Sequence, residues 1–167
     1  MSNKFNKVPE IIFACFLGIG ILANAPAKAS EKAPHFSIPG RHGQVSIAAH
    51  KGKVVYLDFW ASWCGPCRKS FPWMNRIQKR YGKRGFVVVA INLDKDRSLA
   101  EQFLKDVPAN FAIGYDPKGK VATAYQLKGM PSSFVIDKTG KIQVRHAGFH
   151  DSTPEKMELA IQSLLNK

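Results

Sequence analysis

The sequence predicts an α/β domain in which a mixed central sheet is covered by helices on both faces. Three observations carry that prediction. Val54–Trp60 is an unbroken β-prone run, as a central strand buried on both faces requires, and residues 86–93 repeat the character. Around these two runs apolar residues recur at helical spacing, so strands alternate with helices. Towards the C-terminus two short β-prone runs flank Lys138-Thr139-Gly140, which reads as a hairpin added to the sheet.

The elements follow in order. Lys4 and Lys7 precede an apolar run at residues 11–23, and Ala27-Lys28-Ala29 fits a small-residue cleavage site. Residues 1–29 therefore read as an export signal, or as an anchor if uncleaved, although the run is shorter than the roughly 20 residues of a membrane span. The rest, 30–167, reads as one domain. Residues 36–47, broken by Pro39-Gly40 and Gly43, suggest an N-terminal β-hairpin. After Val54–Trp60, a helix is expected from Phe71, Met74, Ile77 and Tyr81, ended by Gly82 and kinked at Pro72. Beyond the strand at 86–93, Leu99 and Phe103 suit a short helix before Pro108, and 111–113 suits an added strand. Residues 121–127 suit a further short helix, and 133–136 with 141–144 the hairpin. Thr153 is expected to cap a last helix, with Pro154 at its first position and Met157, Ala160, Ile161 and Leu164 on one face.

At 167 residues the chain suits a single core, and 45% hydrophobic with 22% charged residues is ordinary for a globular protein. The net charge of +13 reads as a solvated basic surface, which favours acidic partners or anionic membranes. Its densest run, Lys79-Arg80-Tyr81-Gly82-Lys83-Arg84, falls at an expected helix end. Cations there complement the dipole, so no nucleic-acid partner is invoked.

Removal of the leader would take Cys15 with it and leave Cys64 and Cys67. A Cys-x-x-Cys pair between a strand and a helix N-terminus suits thiol–disulfide exchange. The attacking species is a thiolate, and unpaired amides at a helix start favour its charge. Cys64 is then the exposed nucleophile and Cys67, one turn inside, the shielded resolving thiol. Gly65-Pro66 keeps the turn tight. The alternatives are a static disulfide, which so short a loop would make nearly useless for stability, and half a zinc site. The latter finds no paired ligand spacing among His35, His42, His50, His146 and His150. No metal and no cofactor is expected.

The stretch Leu57-Asp58-Phe59-Trp60-Ala61-Ser62-Trp63-Cys64-Gly65-Pro66-Cys67 closely resembles the thioredoxin active-site strand and motif. Pro72 matches that family's helix proline, and Gly129-Met130-Pro131 its cis-proline loop. Ala33-Pro34-His35-Phe36-Ser37-Ile38, together with an excess of sequence around 94–116, resembles the exported TlpA/ResA-like branch. The resemblance implies a thioredoxin fold with an N-terminal hairpin and a helix–strand insertion. It also implies an extracytoplasmic protein-disulfide reductase and a membrane electron donor that reduces the Cys64–Cys67 disulfide. The substrates implied are disulfide-containing proteins, with cytochrome c apoproteins, a copper-site assembly factor and a general stress role all open. A disulfide-donating oxidant on the same fold is the nearest alternative, and a metal-delivery chaperone a remoter one.

The chain departs from the branch pattern at three positions. Ser70 stands where many members carry glutamate. Asp58 stands where many carry asparagine, and Ala90 where thioredoxins pair the buried acid with lysine. Asp58 is accordingly expected as an unpartnered buried proton acceptor for Cys67. Met130 and Pro131 are expected to meet a substrate strand, Trp63 to offer an apolar contact beside the sulfurs, and Trp60 to pack in the core.

Overall fold

The computed structural model describes residues 31–167, so the expected export signal and Cys15 lie outside the described residues. Seven strands form one mixed sheet: β1 Ser37–Gly40, β2 Gly43–Ser46, β3 Val54–Trp60, β4 Phe86–Asn92, β5 Ala112–Tyr115, β6 Ser132–Ile136 and β7 Ile142–Ala147. Their spatial order is β2-β1-β5-β4-β3-β6-β7. The pairs β3–β4 and β4–β5 are parallel, and the remaining neighbours are antiparallel. The helices are α1 Gly65–Tyr81, α2 Arg97–Asp106, α3 Lys120–Ala124 and α4 Thr153–Leu165. This is the thioredoxin fold with the expected hairpin (β1–β2) and the expected insertion (α2 and β5).

Every residue of β3 is buried, because it lies at the sheet's centre with a core on each side. Val54, Tyr56 and Trp60 point into the cluster under α1, α2 and α4, whereas Val55, Leu57 and Phe59 point into the cluster around Tyr125 and Phe134. The period-2 alternation of a strand therefore places Asp58, between Tyr56 and Trp60, on the face covered by α1.

Two local expectations need correction, at Leu99 and Thr153, whereas Gly82 ends α1 as expected. Its φ of −53° keeps the chain right-handed through a 3-10 turn, Gly82–Arg84, and the reversal falls at Gly85 with φ 85°. Leu99 does not anchor α2. It is 43% exposed, and the buried face is Ala100, Phe103 and Leu104. Thr153 does not cap α4 from outside. It is the helix's first residue, after Ser152, and its hydroxyl accepts the amide of His150 at 2.9 Å.

The inserted β5 reaches the hairpin through a close backbone approach, Gly40 opposite Gly114. A Cβ on Gly40 would sit 2.7 Å from the carbonyl oxygens of both Gly43 and Ile113. Gly40→Ala should therefore cost about 1–3 kcal/mol, measured as a shift in the urea midpoint. An unshifted midpoint would show that the hairpin gives way without loss.

Candidate active site

Parallel strands bring their C-terminal ends to one edge. Trp60 at the end of β3 pairs with Asn92 at the end of β4, which pairs with Tyr115 at the end of β5. On the other side Phe59 pairs with Ser132 at the start of β6. The segments 61–64, 93–96, 116–119 and 128–131 therefore leave the sheet at the same edge, which is where the cysteines lie.

Cys64 is the residue that starts α1, with extended dihedrals (φ −82°, ψ 98°) and no side chain capping the first-turn amides. No acidic residue occupies that turn. The dipole and the orphan N–H groups are thus left to act on Cys64. Cys64 and Cys67 are joined as a disulfide with an S–S distance of 2.01 Å and a Cα–Cα distance of 5.3 Å. Cys67 is fully buried, as expected, but Cys64 is only 5% exposed. The bond turns its sulfur towards Cys67, so the openly exposed first cysteine is not found in this oxidised state.

Asp58 is 1% exposed, and its Oδ2 has no hydrogen-bond partner. Burial alone pushes its carboxyl well above the usual carboxylate range. In register beside it on β4 is Ala90, so no lysine offsets the acid from that side. On β6 the residue in register is Ser133. Tyr56, two residues back on the same face, is held well above its ordinary value by burial, then by the nearby Asp58, against an opposing hydrogen bond with Ser133.

The Met130–Pro131 bond is cis. Met130 is half-buried against the cluster that contains both cysteines, while Gly129 is exposed. Pro131 accepts the Gly148 amide on its carbonyl at 2.8 Å. Trp63 is 71% exposed, and Gly65 and Pro66 are exposed beside it, so an apolar platform flanks the sulfurs. Trp60 is fully buried between Phe71 and Phe103, as expected. Ser70 turns back into its own helix, donating to the Cys67 carbonyl at 2.9 Å, and brings no acid to the site. Among the described residues no group of three His, Cys, Asp or Glu side chains is placed to hold a metal ion, and no helix is long and apolar enough to cross a membrane.

Sequence reading missed the support of the 61–64 segment. Asp94, 4% exposed, accepts the Ser62 amide and the Ser62 hydroxyl, each at 2.9 Å, and the Asn92 side-chain amide at 2.7 Å. The usable signal was a polar Asn92-x-Asp94 step closing an apolar strand.

The Redoxin family model matches residues 28–161. The thiol-disulfide oxidoreductase ResA of Bacillus subtilis is 32% identical over 139 residues, covering 79% of this chain and 77% of that one. ResA of Bacillus cereus is 31% identical over 135 residues, covering 80% and 77%. A crystal structure from Chlorobium tepidum, described as a putative thiol:disulfide interchange protein DsbE, superposes with a TM-score of 0.80 at 51% identity. It covers 81% of this chain and 96% of its own.

Proposed function

We propose, from the premise that this chain belongs to the Redoxin family and is a ResA-like thiol–disulfide oxidoreductase, that it reduces protein disulfides outside the cytoplasm through Cys64 and Cys67. The observation that carries the reading is the placement of the pair. Cys64 opens an uncapped helix, and Cys67 lies buried on the same sheet face as an unpartnered carboxyl.

The steps follow from that placement. In the dithiol form the Cys64 thiolate attacks one sulfur of a substrate disulfide. A mixed disulfide forms, and the other substrate sulfur leaves as a thiolate and takes up a proton. The Cys67 thiol gives its proton to the Asp58 carboxylate and attacks the Cys64 sulfur. The Cys64–Cys67 disulfide forms, the Cys64–substrate bond breaks, and the second substrate sulfur leaves as a thiolate that takes up a proton from Asp58 or water. Two electrons have passed to the substrate. Asp58 suits the acceptor role because a raised pKa brings it nearer that of a thiol. Met130 and Pro131 would align an extended substrate segment, and Trp63, Gly65 and Pro66 would line its approach.

Export is supported by the charged start, apolar run and Ala27-Lys28-Ala29 of the leader. A reductant in that compartment needs an electron donor in the membrane to restore the dithiol. The Cys-Gly-Pro-Cys sequence resembles reducing thioredoxins, so a reduction potential nearer about −270 mV than −120 mV is expected. Equilibration of the purified pair against dithiothreitol and glutathione series measures it. Alkylation trapping in cells should find the pair reduced while the donor is present and oxidised when it is deleted. A potential near about −120 mV, with the pair oxidised regardless of donor, would make the protein a disulfide donor instead.

A further inference from the structure

We propose that Asp94 is a positioning residue for the exchange reaction. It anchors the turn that delivers Cys64 to the start of α1, and it keeps a negative charge near that thiol, which biases the pair towards reduction of its substrates. The inference rests on Cys64 being the attacking thiol.

The geometry is a buried bracket. Asp94 lies two residues past β4, at the point where the inserted α2 and β5 begin. Both its oxygens are engaged, Oδ1 by the Ser62 hydroxyl and Oδ2 by the Ser62 amide and the Asn92 amide group. Asn92 is itself buried, and its side-chain oxygen accepts the Asp94 amide at 3.1 Å, so Asn92 and Asp94 hold one another. The chain above is tied as well: the Cys64 amide donates to the Ala61 carbonyl at 3.1 Å, and the Leu93 amide to the Trp60 carbonyl at 2.9 Å. The turn from Ala61 to Cys64 is thereby fastened to β4 through one carboxylate. Its donors are a backbone amide, a hydroxyl and a side-chain amide, none of them a cation.

That last point sets the electrostatics. Hydrogen bonds from neutral donors stabilise a carboxylate but leave its charge in place. The hydrogen bond to Ser62, two residues from Cys64, keeps the carboxylate within about 14 Å of the Cys64 sulfur by the chain's reach. At an effective dielectric near 20, a unit charge at that range shifts a thiol by about one pKa unit. Close to Cys64 in sequence are the ionisable groups Asp58 on β3 and Cys67, Arg68 and Lys69 on α1, and Lys95 follows Asp94. Arg68 is drawn off over the Phe103 ring and towards Asp106. A helix start favours a thiolate at its first position, and a carboxylate nearby opposes it. A less stabilised thiolate means a less stabilised dithiol, which is the condition for a reductant. The strongest oxidant of this chemistry owes its potential to the reverse arrangement, a stabilised reduced form.

The test measures the Cys64 thiolate by its absorbance in the far ultraviolet, in the reduced Cys67→Ala background, across a pH titration. Asp94→Asn should lower the Cys64 pKa by about one unit and move the equilibrium of the two-cysteine protein with glutathione several-fold towards the dithiol. Ser62→Ala, a change at a half-buried position, removes one hydrogen-bond donor to the carboxylate but keeps its charge. It should raise the Cys64 pKa by a few tenths and slow insulin reduction. Opposite signs in the two variants support the proposal, as does the rise in Ser62→Ala alone if Asp94→Asn does not fold. A folded Asp94→Asn with an unmoved pKa, or a Ser62→Ala with a lowered one, overturns it. Failure of the nucleophile assignment is separate: it would show as insulin reduction surviving Cys64→Ser.

Discussion

Cys64→Ser should abolish disulfide reduction, bringing insulin turnover with dithiothreitol down to the uncatalysed rate. The serine hydroxyl has the thiol's place and nearly its size, but it is not ionised at neutral pH and forms no disulfide. Cys67→Ala should fail differently. The first attack survives and the second does not, so substrate remains bound through Cys64. Non-reducing gels of a cell extract exposed to this variant should show bands that collapse on reduction. The asymmetry is expected from the structure, since Cys67 is wholly buried and only Cys64 retains any surface. Bands that appear with Cys64→Ala and not with Cys67→Ala would exchange the two roles.

The parts of this molecule that were legible in the sequence are those where one residue type has one physical use. An unbroken run such as Val54–Trp60 fits only a strand covered on both faces, and all seven of its residues are buried. Two cysteines two residues apart at a strand–helix junction admit few uses, and the disulfide is there. Pro131, in its resemblance to the cis-proline loop, pointed to the cis bond found. Ala90, argued to replace the companion lysine, lies in register with Asp58. What stayed hidden depends on partners distant in sequence. Asp94 meets Ser62 across 32 residues, and the polar step Asn92-x-Asp94 marks an unusual strand end without naming its distant partner. A helix start slipped for a related reason. Thr153 carries the residue type of a cap, but Ser152 takes the capping position and Thr153 is the first helical residue. Leu99 fits a helical period, yet the insertion packs through Ala100, Phe103 and Leu104, one position round the helix.

Asp58→Asn should separate catalysis from stability in opposite directions. Asparagine keeps the side chain's size but cannot take a proton from Cys67, so the resolving step should slow by about 10²-fold near neutral pH. Stopped-flow fluorescence of single turnovers reads that step directly, and the attack by Cys64 should be nearly unaffected. Stability should move the other way. Burial raises the Asp58 carboxyl above its unfolded value, so between the two the folded chain holds a proton that the unfolded chain has released. The wild-type protein therefore loses stability as pH rises from the ordinary carboxylate range through the folded-state value. The substituted amide does not titrate, so the variant has no such linkage. Its advantage in urea unfolding should be smallest at acid pH, where aspartic acid is protonated in both states, and should grow as pH rises. At high pH the wild type carries an ionised, unpartnered carboxyl in its core, and the gap should be widest there. A resolving rate that matches wild type from about pH 6 to 8 would leave Asp58 as a buried acid without a kinetic role, even if the stability gap were found. A stability gap that shrank with rising pH would contradict the raised carboxyl itself, because the proton uptake that produces the gap has only one possible sign.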